Sequence, residues 1–579
     1  PSATRTCSPT SNAIDDFGSG VFATEPGVTR GGVVQFFNVE PGVATITIDG
    51  TTTGNNANDS DGVLISGATT QVNSAGGAIT IDGTANGASA GDGVEIAAGV
   101  TAPITATNAA TIDITGVGDG ADTALVAVQI DSPISSGTGA ITITSDAGGS
   151  ATDDITFGAD GDITSTSGTI TIDADNADDT ADVFMANGTI INAGTGLIDV
   201  DADVDVTLGS LVTTTDVQIT AGVSGVTGAI IDGGDGNTDI NAATAALRAE
   251  SGIGSDADDI DTTSNGASLT IAAVTDTGDI NITNTGALIV GTVDTLVGVT
   301  VQDTGGNDNG NDNITLVASS PLTVNTPVVD NAGGNIVLTA TNDGGEDDDL
   351  TISANVTALG GNGFIDLNAG TDLFINNSAD VTTVGTGNID GDAVRAISIT
   401  TTDAEIETVD GNITLLANGT QTANANFAGI LLNDATISTT TGAISLTGTG
   451  GSTGDNNHGV QLTNAATVSS AAGAATLTIM GTATVGAASD GVLIEGATTV
   501  VQAVDANVSI TGVTATDDGV EINAADVATT GTGTIVIDGT TTGTVASGTL
   551  SAGSDGVVIT GATASVTTTA AAATIRIDG

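Results

Sequence analysis

Carboxylates are the residues of this chain most capable of chemistry, since 70 of its 579 residues are Asp or Glu. Two runs concentrate them. One is Asp343-Gly344-Gly345-Glu346-Asp347-Asp348-Asp349, and the other is the segment 303–312, which sets Asp303, Asp308 and Asp312 among Gly and Asn. Ca²⁺ takes six to eight oxygen ligands in a flexible geometry, so loops of this kind suit it. Asp303, Asp308, Asp312, Asp343, Glu346, Asp347, Asp348 and Asp349 are therefore the expected calcium ligands, and Ca²⁺ the one expected cofactor. Gly233–Asp239 approaches the calcium-binding Gly-Gly-x-Gly-x-Asp-x pattern but carries Thr238 where Asp is required. Such sites also need consecutive repeats.

Catalytic readings find little to rest on, and the chain is expected not to be an enzyme. There is no Lys, and the five Arg (Arg5, Arg30, Arg248, Arg395, Arg576) are scattered. A basic residue beside clustered carboxylates, as sugar-cleaving sites use, is not apparent. The single His lies in Asn457-His458-Gly459, in a slot that other repeats fill with Asp, and reads as a turn residue. Paired acids such as Asp517-Asp518 occupy the same slot. Asn-x-Thr/Ser strings at Asn187, Asn281, Asn313, Asn412 and Asn507 leave glycosylation open.

These residues must be positioned by something repetitive. The chain has 83 Gly, 9 Phe, no Trp and no Tyr, yet 39% of its residues are hydrophobic. That supply of small branched side chains fits a narrow core repeated many times better than several compact domains. The first repeat signature is an Ile/Leu-x-Ile/Leu triplet, often followed by Asp-Gly: Ile46-Thr47-Ile48-Asp49-Gly50, Ile79-Thr80-Ile81-Asp82-Gly83, Ile112-Asp113-Ile114, Ile141-Thr142-Ile143 and Ile170-Thr171-Ile172. Successive copies start 33, 33, 29 and 29 residues apart. A second signature interleaves: Asp61-Gly62-Val63-Leu64-Ile65, Asp92-Gly93-Val94-Glu95-Ile96, Asp490-Gly491-Val492-Leu493-Ile494, Asp518-Gly519-Val520-Glu521-Ile522 and Asp555-Gly556-Val557-Val558-Ile559. A third, weaker strand is expected at Gly67-Ala68-Thr69 and its copies, with the Val that follows.

Each triplet reads as a short strand of period two, with Ile46 and Ile48 facing in and Thr47 facing out. A strand with one buried face cannot stand alone; stacked coils bury that face and pair the backbone in parallel ladders. The expected fold is all-β: a right-handed parallel β-helix (β-solenoid) with three short strands and about 30 residues per coil. It is expected to run from 45 to 579, less regularly over about 200–420. Residues 1–44 hold four of the nine Phe (Phe17, Phe22, Phe36, Phe37) and read as an N-terminal cap or assembly segment. If Asp49, Asp82 and Asp113 stack in register, each carboxylate contact costs roughly 1 kcal/mol even in water. Such ladders need counterions or raised pKa values.

A formal net charge of −65 argues against nucleic acid and anionic lipid as partners. No apolar run nears the roughly 18 residues that span a bilayer, so no membrane span is expected. Cys7 is the only cysteine, which excludes an intrachain disulfide. The final Ile575-Arg576-Ile577-Asp578-Gly579 repeats the opening signature, which suggests a homo-oligomer or a longer array joined through solenoid ends.

The recurrent Ile-Thr-Ile-Asp-Gly, Asp-Gly-Val-x-Ile and Gly411-Asn412-Ile413-Thr414-Leu415 strings resemble the β-helical regions of large bacterial surface and adhesin proteins, filamentous-haemagglutinin-like and autotransporter-passenger-like. The resemblance spans most of 45–579 and carries over no functional residue. It implies export, an extracellular or cell-surface location, and a rod that displays or assembles. Two functions follow as expectations: a structural subunit of a filament, sheath or surface layer, or the stalk or passenger of an adhesin that binds glycan or protein.

Overall fold

The structure is a computed structural model. It describes residues 5–7, 45–52, 61–85, 91–101, 103–118, 126–145, 154–174, 180–222, 227–234, 236–255, 257–304, 312–342, 344, 347–419, 425–473, 475–542, 555–569 and 573–579. The described residues contain strands and turns and no helix, so none is long and apolar enough to cross a membrane. Two compact units are distinguished: residues 1–283 with 293–296, and residues 284–292 with 297–579.

Each unit is a parallel β-helix, and the expected three strands per coil are present. In the first unit, the first strands of successive coils pair in register through Ile46, Ile79, Ile112, Ile141, Ile170, Ile198, Val217, Ala245 and Ile271. In the second, the same face runs Ile314, Ile336, Ile365, Ile389, Ile413, Ile444, Leu477, Val508, Ile535 and Ile575. The second strands stack likewise, as in Val63 on Val94 on Val128 and Val492 on Val520 on Val557.

The alternation read from the sequence sets which side chains enter the core. Strand Ile79–Ala85 buries Ile79 and Ile81 completely while Thr80 and Asp82 face out. Val94 and Ile96 are buried and Glu95 faces out. With mostly Ile, Val, Leu and Ala inside, and larger side chains such as Phe157 and Met185 rare, each coil adds a thin core layer, each fully buried Ile contributing about 1.5–3 kcal/mol. The strands near 336–367, only some 14 residues apart in sequence, are alternate faces of ordinary coils: Ile336 pairs with Ile365, and Leu350 with Leu373.

A close approach of two glycines links the first two signatures. A Cβ on Gly83 would meet the Gly93 carbonyl oxygen at 2.0 Å, and one on Gly512 would meet that of Gly519 at 1.8 Å. Ile-x-Ile-Asp-Gly and Asp-Gly-Val-x-Ile therefore occur together because their glycines pass back to back at one corner. Many coils without that corner end the first strand on Ala, as in Ile336–Ala340 and Ile413–Ala417.

Two expectations change. Gly67-Ala68-Thr69 is an exposed turn, with Gly67 at φ +99°, and the third strand is Val72–Ser74 beyond it. Asp113 does not continue the Asp49–Asp82 column. It is the middle residue of its triplet, so it stacks on Thr80, and Thr115 follows Asp82. Of residues 1–44, only Arg5–Cys7 are described, as a strand pairing with Ile46–Ile48. The four Phe of that segment lie outside the described residues. In the first unit, Val293 and Leu296 cover the outward Ala246 and Ala272, and Arg248 bonds Asp294 at 3.0 Å.

Replacing Ile479 by Ala should lower stability by about 2–5 kcal/mol in urea unfolding, whereas outward Thr478→Ala should stay within about 0.5 kcal/mol. Gly512→Ala should destabilise despite adding one methyl, because its Cβ meets backbone that cannot rotate away.

Candidate functional site

The Asp that opens the second signature is a ladder residue. Asp61 Oδ1 accepts the Asp92 N–H at 3.1 Å, and Asp92 Oδ1 accepts the Val126 N–H at 3.0 Å. In the second unit Asp490 accepts from Asp518 at 3.2 Å, and Asp518 from Asp555 at 2.7 Å. Asp154, Asp182 and Asp205 repeat the bond, each accepting an N–H of the next coil. A short side chain that accepts a backbone N–H suits a turn. Here it joins neighbouring coils at a place where no strand does.

Among the described residues, stacking these acids creates two equivalent trios. One ligand oxygen each from Asp61, Asp92 and Glu95 lies within 4.8 Å of the others, and the same holds for Asp490, Asp518 and Glu521. The four Asp are buried, and each Glu is the half-buried outward residue of its strand. Burial above all pushes Glu95 up to about 7, aided by repulsion from Asp61 and Asp92. Burial likewise pushes Glu521 up to about 7, with Asp490 and Asp518 adding repulsion. Asp518 is raised to about 6, again chiefly by burial. A trio of this kind can take a proton, or share its oxygens around a hard divalent cation completed by water.

His458 tops the second trio in the slot read as a turn position. Its Nδ1 accepts the Asp490 N–H at 3.2 Å, doing what an Asp oxygen does elsewhere, and lies 3.3 Å from Asp490 Oδ2. Both side chains are buried.

Comparison with known protein families, with curated proteins and with solved structures finds no match. The site must be read from its own chemistry.

The expected calcium loops fare differently from the trios. Asp308, Asp343 and Glu346 lie outside the described residues. Asp303, Asp312, Asp347, Asp348 and Asp349 belong to neither trio. Asp349 acts as a rung, its Oδ1 accepting the Asp372 N–H at 3.0 Å. The positive charge beside it comes from the chain itself: Arg395 grips Asp372 through Nε at 2.8 Å and through a second, shorter bond. Asp239, at the end of the Gly-rich near-match, is also a rung, accepting the Asp261 N–H at 2.7 Å. Asn313, Asn412 and Asn507 open strands and accept N–H groups of the next coil at 3.0, 2.8 and 2.9 Å. Their Asn-x-Thr/Ser strings thus follow from the coil design, and Asn281 is buried.

The trios were missed in the sequence because their members are 31 and 3 residues apart in one case and 28 and 3 in the other. The signal lay in aligning the Asp-Gly-Val-x-Ile copies vertically, which sets Glu95 and Glu521 beside stacked Asp.

The pH dependence follows from the raised values. Folded Glu521 holds a proton that the unfolded chain releases near pH 4.5, so stability falls as pH rises from there towards 7. Glu521→Gln should melt above the wild type at pH 7.5 and with it at pH 4.5, read by circular dichroism. Glu95→Gln should behave alike.

Proposed function

We propose that this chain is a structural subunit of an extracellular filament, sheath or surface layer, built by stacking solenoid coils through their ends or sides. What supports the reading is the interchangeability of the coils. Strand Ile79–Ala85 of the first unit and Ile535–Thr541 of the second have the same Ile-x-Ile-Asp-Gly core. Each meets an Asp-Gly-Val strand through the same glycine contact, and in both units an Asp of this turn accepts an N–H of the next coil, Asp92 from Val126 and Asp518 from Asp555. A coil of either unit offers the edge that a coil of the other needs, so stacking between chains requires no new chemistry.

Charge sets the conditions for assembly. Chains of this acidity repel one another until their carboxylates take up protons or cations. The Asp61/Asp92/Glu95 and Asp490/Asp518/Glu521 trios are where calcium would matter most. The cell surface of a bacterial-type organism, where calcium is plentiful, is the setting this reading assigns.

Electron microscopy of the purified protein, at low salt with millimolar calcium or with chelator, tests the proposal. Regular fibres or sheets that thin out in chelator, together with a lower melting temperature there, are expected. A monodisperse particle that forms no polymer in either condition but retains a glycan or protein ligand would overturn it in favour of the adhesin stalk.

A further inference from the structure

The third strand of a coil ends on an inward residue that governs the tight turn beyond it, and in most coils this residue carries a hydroxyl. The hydroxyl works in both directions. Thr408 accepts the Gly411 N–H at 3.2 Å and donates to the Gly387 carbonyl at 2.8 Å. Thr439 accepts from Gly442 at 2.9 Å and donates to Gly411 at 3.3 Å. Ser74 and Thr383 donate to the carbonyls of Gly77 and Gly387 at 2.6 and 2.7 Å.

Asp330 breaks this series. It ends strand Val328–Asp330, stacked between Val301 and Ala358, and is 0% exposed. Its Oδ1 performs the accepting half of the role, taking the N–H groups of Ala332 at 2.8 Å and Gly333 at 3.2 Å. Its Oδ2 is buried and has no hydrogen-bond partner. A carboxylate has no proton with which to perform the donating half, whereas a carboxylic acid has one. An ionised oxygen sealed from water without a donor is strongly disfavoured.

We infer that Asp330 is a proton-binding site: it is held as the neutral acid in place of a Ser or Thr, and losing its proton loosens the corner at 330–334. The surroundings agree. Burial is the main influence raising its affinity for a proton, the N–H bonds oppose it, and Asp312 adds repulsion. Asp312 precedes strand Ile314–Ala318, and Asp303 lies two residues beyond Val301 in the coil below. In the coil above, Ala358 and residues 359–364 contain no titratable side chain. No cation from the protein offsets an ionised Asp330 from these elements.

The sign follows from linkage. The closed corner keeps a proton that the open one releases near the usual Asp value of 3.8, so closure weakens between there and about pH 7. Above that the effect levels off.

Hydrogen exchange of the full chain, followed by mass spectrometry on peptides covering 328–340 and corrected for intrinsic rates, tests this. The wild type should lose at least about tenfold in protection between pH 4.5 and pH 7.5. Asp330→Asn, which keeps the acceptor and supplies a donor, should hold its protection across that range, and so should Asp330→Thr. A wild-type peptide equally protected at both pH values would overturn the inference. So would the same pH-dependent loss in both variants. Infrared difference spectra supply a second measure should either variant fold poorly: the wild type should show a buried carboxylic-acid band at pH 4.5 that fades by pH 7.5. Its lack at pH 4.5 would overturn the inference.

Discussion

No coil of this protein can complete itself. A strand such as Val94–Ile96 has neither enough residues to fold alone nor a partner within its own coil. Its backbone groups bond only to the strands before and after it, Val63–Ile65 and Val128–Ile130. Its buried side chains lie on layers contributed by the same neighbours. Everything else in the structure answers to that dependence. Residues are chosen less for what they do within 30 positions of sequence than for what stands one coil above and below. Vertical identity therefore matters more than local propensity, which is why Ile stacks on Ile at the first strand and Val on Val at the second.

The same verticality makes the acidic surface difficult to hold. A turn Asp is well suited to accept an N–H from the next coil, but repeating it piles carboxylates into columns. The protein meets the problem differently in different coils. Arg395 supplies a countercharge beside Asp372, and His458 replaces one acid. Thr115 takes the position beyond Asp82. At the Asp61/Asp92/Glu95 trio none of these intervenes, and at the Asp490/Asp518/Glu521 trio only His458 stands beside an acid; burial above all, with repulsion from the stacked Asp residues, makes Glu95 and Glu521 bind protons well above their usual range.

Much of the fold could be read from the residues because period two and period thirty are both written in Ile, Val and Gly. The in/out assignment of Thr80 or Glu95 needed only alternation. The Gly67-Ala68-Thr69 turn reads as strand in the sequence because its small residues fit both states, and the φ of Gly67 separates them. The candidate site was less legible. Local density of Asp in 303–312 and 343–349 is what the sequence makes visible, whereas among the described residues the oxygens that converge come from coils 28 or 31 residues apart, brought together by stacking. Asp330 was silent for the same reason: its meaning comes from being compared with Thr408 and Thr439 in other coils.

The back-to-back glycines have a consequence for how such a chain can change length. Because Gly83 and Gly93, or Gly512 and Gly519, tolerate no side chain against one another, the two signatures form a matched set. A duplication that copies a whole turn of the helix carries both halves and leaves every junction as it was. One that copies only part of a turn can bring a residue with a Cβ to the place of Gly83 or Gly512, where it would meet the backbone of the facing strand. Heritable growth or shortening of either unit is thereby quantised, with the coil as its natural increment.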